Sequence, residues 1–143
     1  MRIETDFIMN LIESNDPVQL VGEKVLKIWL NEAEKDNKTE GYYYKGEEEV
    51  KDFEEFLLES YWEFYDLLAK ACSEEKEVLQ LYPDSAIVIM DGMSIRESVL
   101  LYKSLKSIGY DVSHNFNFSA VPSDTEFFRS KIKKSIGNFS QIN

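Results

Sequence analysis

Apolar residues along this chain change their repeat near residue 85. Before that point they recur at helical spacing. Asp16-Pro17-Val18-Gln19 combines a capping residue, a proline at the first helical position and a glutamine at the third, so a helix is predicted from Pro17 to about Glu34, carrying Val21, Val25, Ile28, Trp29 and Leu30. A shorter helix is predicted around Phe7 to Ile12. Lys35 to Gly46 is polar and turn-prone, with Tyr42-Tyr43-Tyr44 as loop aromatics packing onto helices. A longer helix is predicted from Glu47 to Cys72, with Val50, Phe53, Leu57, Tyr61, Phe64, Leu68 and Ala71 along one face and Glu47-Glu48-Glu49 in its first turn, complementing the helix dipole.

After Pro83-Asp84 the pattern turns strand-like. Ala86 to Met90 is an unbroken apolar run, and from Val112 to Val121 the residues Val112, His114, Phe116, Phe118 and Ala120 alternate with Ser113, Asn115, Asn117 and Ser119. Between the two runs, Ser94-Ile95-Arg96-Glu97 is a capping box opening a helix with Val99, Leu100, Tyr102, Leu105 and Ile108, which stops at Gly109. Ser123-Asp124-Thr125-Glu126 is another capping box, and its helix, with Phe127, Phe128 and Ile132, ends before Gly137. The order β-α-β-α predicts a parallel pair with a right-handed crossover, both strands opening on one edge. The fold class expected is α/β: an acidic helical region over residues 1–81, then an α/β unit over 82–143.

Charge sharpens this division. Residues 1–85 hold 9 basic and 22 acidic side chains, a net of −13, whereas 86–143 hold 7 and 5, a net of +2. The acidic front half lacks the Lys and Arg that displace counterions from a nucleic-acid backbone, so direct nucleic-acid binding is not expected. An anionic substrate suits the rear half better, where Arg129, Lys131, Lys133 and Lys134 cluster. The single cysteine, Cys72, makes no intramolecular disulfide, and the acidic start Met1-Arg2-Ile3-Glu4-Thr5-Asp6 lacks the order of a signal peptide; with no apolar run of spanning length, a cytoplasmic protein without membrane contact is expected.

The candidate chemistry lies at the ends of the two predicted strands. A buried strand closing on Asp91-Gly92 delivers a carboxylate to its carboxyl end, where open α/β sheets build their sites and where a metal ion suits it. Thirty-four residues later, Pro122-Ser123-Asp124-Thr125 sets Thr125 at the second position of a helix capped by Ser123, among free backbone donors that suit a phosphoryl oxygen. Arg96 and Arg129, in the first turns of the two helices, are candidate clamps for phosphate oxygens, and pairing with Glu97 or Glu126 is the alternative. His114, mid-strand beside Phe116 and Phe118, reads as a structural histidine.

The strand ending in Asp91-Gly92, with Arg96 close behind, and the Pro122-Ser123-Asp124-Thr125 turn after one helix and one strand resemble the PglZ domain, a branch of the alkaline phosphatase superfamily found in phage-defence and signalling proteins. The resemblance covers residues 82–135. It implies that Asp91 is the first metal ligand and Thr125 the nucleophile and a metal ligand, in a site holding two zinc ions, with a phosphoester or nucleotide as substrate and Ser123, Arg96 and Arg129 near it. Superfamily members complete the metal shell with aspartates and histidines from later strands, and this sequence holds one histidine in all. The chain is therefore read as the front part of such a domain, inactive alone. Two other classes compete. A receiver-like domain also presents an aspartate at a strand end, but needs an acidic pair on an earlier strand, and everything before Ala86 reads as helical. A non-catalytic interaction module of a defence complex would use the acidic helices to contact a basic protein partner.

Overall fold

A computed structural model describes residues 5–35, 39–73, 86, 88–90 and 92–118. These residues form five helices: α1 (Thr5–Glu13), α2 (Pro17–Glu34), α3 (Thr39–Ser60), α4 (Phe64–Ser73) and α5 (Ile95–Ser107). No described residue belongs to a β-strand. The chain divides into two compact units, Met1–Phe64 with Asp91–Phe116, and Tyr65–Met90 with Asn117–Asn143.

In the first unit α2 is the central element, packed by α1, α3 and α5. It begins as the sequence dictates, with Pro17 in its first turn and the Asp16 carboxylate accepting from the Gln19 N–H at 3.0 Å. Trp29 and Ala33 of α2, Tyr42 of α3 and Val99 of α5 form one buried cluster. The Trp29 and Tyr42 ring centroids lie 5.2 Å apart. At Gly46, which is buried, α3 passes so close to α2 that a Cβ would come within 3.0 Å of three atoms of the Trp29 ring. Further along α3, Phe53 and Leu57 are buried, and Phe53 meets the ring of Phe7 from α1 edge-on at 5.6 Å. Glu32 is wholly buried; one carboxylate oxygen takes the Lys35 ammonium and the other has no partner among the described residues.

Two helical boundaries differ from the pattern reading. The stretch 39–46, expected as a loop, is the first two turns of α3, so Glu47-Glu48-Glu49 lie in its middle and not its first turn. Gly41 and Gly46 each cost about 1 kcal/mol of helix propensity, which is why the segment reads as a loop. The burial of Tyr42 and the approach that Gly46 permits offset that cost. The helix expected over Glu47 to Cys72 is two, broken at Tyr61-Trp62-Glu63, where the Phe64 N–H turns back to the Tyr61 carbonyl at 3.2 Å. No glycine or proline announces that break.

The expected α/β fold class, with a parallel pair of strands, is overturned. Residues 86 and 88–90 are neither helix nor strand, and the same holds for 112–118; Ile87 and residues 119–121 lie outside the described set. The alternation along the second run is nevertheless visible in its burial: Val112, His114, Phe116 and Phe118 are half-buried while Asp111, Ser113, Asn115 and Asn117 are exposed. The Phe116 ring lies against Gly22 of α2 and the His114 ring stacks on Tyr102 of α5 at 5.4 Å. The physical reason is a competition for α5. A crossover helix must lay its apolar side on the sheet, and α5 commits Val99, with no exposed surface, to Trp29, Ala33 and Tyr42 instead. With that side of α5 committed to α2 and α3, a parallel pair would lack its crossover helix as a cover, and two strands alone have no independent stability.

In the second unit α4 buries Cys72, and Val88, Ile89 and Met90 are exposed. Among the described residues, no helix is long and apolar enough to cross a membrane.

Candidate functional site

The densest polar constellation is built at the start of α5. Gly92 takes φ +70°, a conformation that favours glycine, and the chain then enters the helix at Ser94. The Ser94 N–H donates to Glu97 Oε2 at 3.0 Å, and the Ser94 hydroxyl donates to the same carboxylate. The other oxygen of Glu97 accepts from Arg96 Nε at 2.6 Å, and the far end of the guanidinium pairs with Glu47 of α3, 49 residues away. The guanidinium carbon lies 5.6 Å from the centroid of the Tyr43 ring. Beneath, the Tyr42 hydroxyl donates to the Arg96 carbonyl at 2.7 Å.

These contacts set the protonation states. Burial pushes the Glu97 carboxyl up, but the bonds from the Ser94 hydroxyl, the Arg96 guanidinium and the Ser94 N–H outweigh it and hold the pKa at about 2. Hydrogen bonds to Glu97 and Glu47 raise that of Arg96. Burial, with Tyr43 and Glu97 nearby, pushes the Tyr42 phenol well above its ordinary value, so it remains a donor.

Between α3 and the first turn of α5 lies an open groove of about 950 Å³, reaching from Tyr43 and Tyr44 along α3 to Glu54 and closed on one side by Arg96 and Glu97. Both helices pack on α2, and the groove is the space left between them, bridged by the Arg96–Glu47 pair.

A second polar group joins α5 to the segment after it. His114 Nε2 is 2.9 Å from the Ser98 hydroxyl oxygen, which itself donates to the Ile95 carbonyl at 2.8 Å. Ser98 has one hydroxyl proton and spends it on Ile95, so His114 must donate from Nε2. That is the reverse of the polarity by which a histidine activates a serine nucleophile. Nδ1 is buried and has no partner among the described residues, and burial lowers the histidine pKa. His114 is thus held as a hydrogen-bond donor to Ser98 and a ring stacked on Tyr102, in keeping with the structural histidine expected beside Phe116 and Phe118, although not within a strand.

Of the residues expected to form the phosphoesterase site, Arg96 is the one described, and it is engaged by two carboxylates and a tyrosine ring. Asp91, Ser123, Thr125 and Arg129, with the helix expected after Ser123, lie outside the described residues. Pairing of Arg96 with Glu97 was one of the two expected alternatives. Glu47, Tyr42 and Tyr43 were not anticipated as its neighbours, and no local pattern encodes contacts 49 to 54 residues apart. Among the described residues, no three His, Cys, Asp or Glu side chains gather in a group able to hold a metal ion. Compared with protein-family models, with curated proteins and with solved structures, the chain matches none of them.

Proposed function

We propose that this chain is the front portion of a PglZ-type metal-dependent phosphoesterase or phosphodiesterase from the cytoplasm, inactive as these 143 residues alone. The ordered pair Asp91-Gly92 and Pro122-Ser123-Asp124-Thr125 carries the reading. Around the first motif the described backbone supports it in part: a left-handed turn at Gly92, a helix capped at Ser94 and a stop at Gly109, which has φ +92°, although 88–90, expected as a buried strand, are exposed and not a strand. In this reading Asp91 is a metal ligand, Thr125 is the attacking hydroxyl and a ligand, and Ser123 caps the helix. Asp91 and Thr125 are two ligands where each zinc takes about four. With one histidine in the sequence, a two-zinc site in this reading takes its remaining ligands from elsewhere.

The test is a longer chain that carries further Asp and His residues beyond Asn143. With added zinc it should hydrolyse bis(p-nitrophenyl) phosphate or p-nitrophenyl phosphate, while the 143-residue chain is inert. Thr125→Ala in the long form should abolish turnover and retain metal, whereas Asp91→Asn should lose metal. Unchanged turnover in Thr125→Ala would reject the assignment.

A second reading, an acidic module that binds a basic protein partner, is favoured by the surface of α3. Glu48 and Glu54 are exposed and take no ion-pair partner among the described residues.

A further inference from the structure

The groove between α3 and α5 already holds one guanidinium. Arg96 lies over the Tyr43 ring and pairs with Glu47 and Glu97, so the groove's own chemistry, aromatic rings beside carboxylates, has an intramolecular cation as its occupant. The same combination continues beyond Arg96 and is unused. Tyr44 is 71% exposed, and Glu48 stands one helical turn further along on the same side. Glu54 lies six residues past Glu48, about 9 Å along the axis. That matches side chains two to three residues apart in an extended peptide.

We infer that this groove is a docking site for a basic peptide segment of a partner protein, one cationic side chain seating on Tyr44 against Glu48 and the next reaching Glu54. The proposal rests on the interaction-module reading and specifies its site and the chemistry of its partner. Charge complementarity selects the occupant. Four carboxylates (Glu47, Glu48, Glu54 and Glu97) line the groove against two cations, Lys51 and Arg96, of which Arg96 is neutralised by its pairs. A second copy of this chain, with a net charge of −11, is disfavoured as the occupant, and so is any nucleic acid. Arginine suits the site better than lysine, because its planar, weakly hydrated guanidinium stacks on an exposed ring at lower desolvation cost.

The experiment is fluorescence anisotropy of a labelled hexa-arginine peptide titrated with the full 143-residue chain at about physiological ionic strength. The double variant Glu48→Gln/Glu54→Gln should bind about fivefold more weakly, and Tyr44→Ala should narrow the preference for hexa-arginine over hexa-lysine. Glu13→Gln/Glu59→Gln removes the same charge outside the groove and should leave affinity unchanged. All five positions are exposed, and circular dichroism checks that each variant keeps its helices. Equal weakening by the two double variants would overturn the groove while leaving a diffuse acidic interaction surface. Failure of the unsubstituted chain to bind would overturn the interaction module itself.

Discussion

Replacing Gly46 by alanine separates two opposed effects at one position. In an unencumbered helix interior, alanine in place of glycine gains about 1 kcal/mol, because the unfolded chain loses less freedom on folding. Gly46 is not unencumbered. The added methyl would come within 3.0 Å of three atoms of the Trp29 ring, where carbon atoms normally rest about 3.5–4.0 Å apart. The indole cannot swing into solvent: it is 4% exposed and has Tyr42 on another side at 5.2 Å between centroids. Either α3 moves away from α2 or Trp29 leaves its rotamer, and overpacking of this kind costs about 1–3 kcal/mol. Since the obstacle is a rigid ring, the upper half of that range applies, and the net effect of Gly46→Ala is about 1–2 kcal/mol of destabilisation. Urea denaturation followed by far-UV circular dichroism measures it as a lowered midpoint at unchanged slope. Trp29→Phe in the same background provides the internal check, because a smaller ring makes room for the methyl. Its cost should be lower in Gly46→Ala than in the parent by about 1 kcal/mol. A Gly46→Ala midpoint above the parent's would refute the close approach of the two helices.

Glu97 favours its charged form in the folded chain, so its stabilisation is complete above pH 4.5 and is lost as pH falls toward about 2. Glu97→Gln should flatten that part of the stability profile by about 2 kcal/mol, a value discounted for partial exposure; an unaltered acid limb would contradict the Ser94 and Arg96 bonds. The one histidine gives an unambiguous proton NMR titration, and its midpoint should fall below 6.5. Because unfolding lets that imidazole take up a proton, stability should drop as pH falls from 6.5 to the folded midpoint, and His114→Gln should remove that component. Tyr42→Phe strips the donor from the Arg96 carbonyl and should cost about 1 kcal/mol, read as a lower urea midpoint.

What could be read from sequence were the features that neighbouring residues decide among themselves. Asp16-Pro17 marks the start of α2, Ser94 with Glu97 the start of α5, and Gly109 its end, because caps and stops are satisfied within a few residues. Long-range compensation was hidden. Tyr42 and Gly46 are helical because Trp29 meets them, a contact the local composition of 39–46 argues against. The alternation from Val112 to Phe118 reads as a strand of a parallel pair, but no strand forms there: period does not say what lies against the segment, and here Phe116 meets α2 and His114 meets α5. Of the candidate site, sequence picked out Arg96 and its partner Glu97; the third partner, Glu47, required the packing of α3 and α5 on α2.

The position of Val99 also orders the assembly of the chain in time. Trp29, Ala33 and Tyr42 all emerge early in synthesis, yet the residue that completes their enclosure lies 57 positions after Tyr42, and the Lys103 ammonium bonds the Ala33 carbonyl across 70 residues. A loop of that length costs only about 0.6 kcal/mol more to close than one half as long, so the late arrival is a matter of kinetics more than of stability. Until α5 leaves the ribosome, the nascent helices present an indole and a phenol without their lid, a natural target for a holdase. Mutations that weaken Val99 should therefore lower the yield of folded chain in cells more than they lower its equilibrium stability once made.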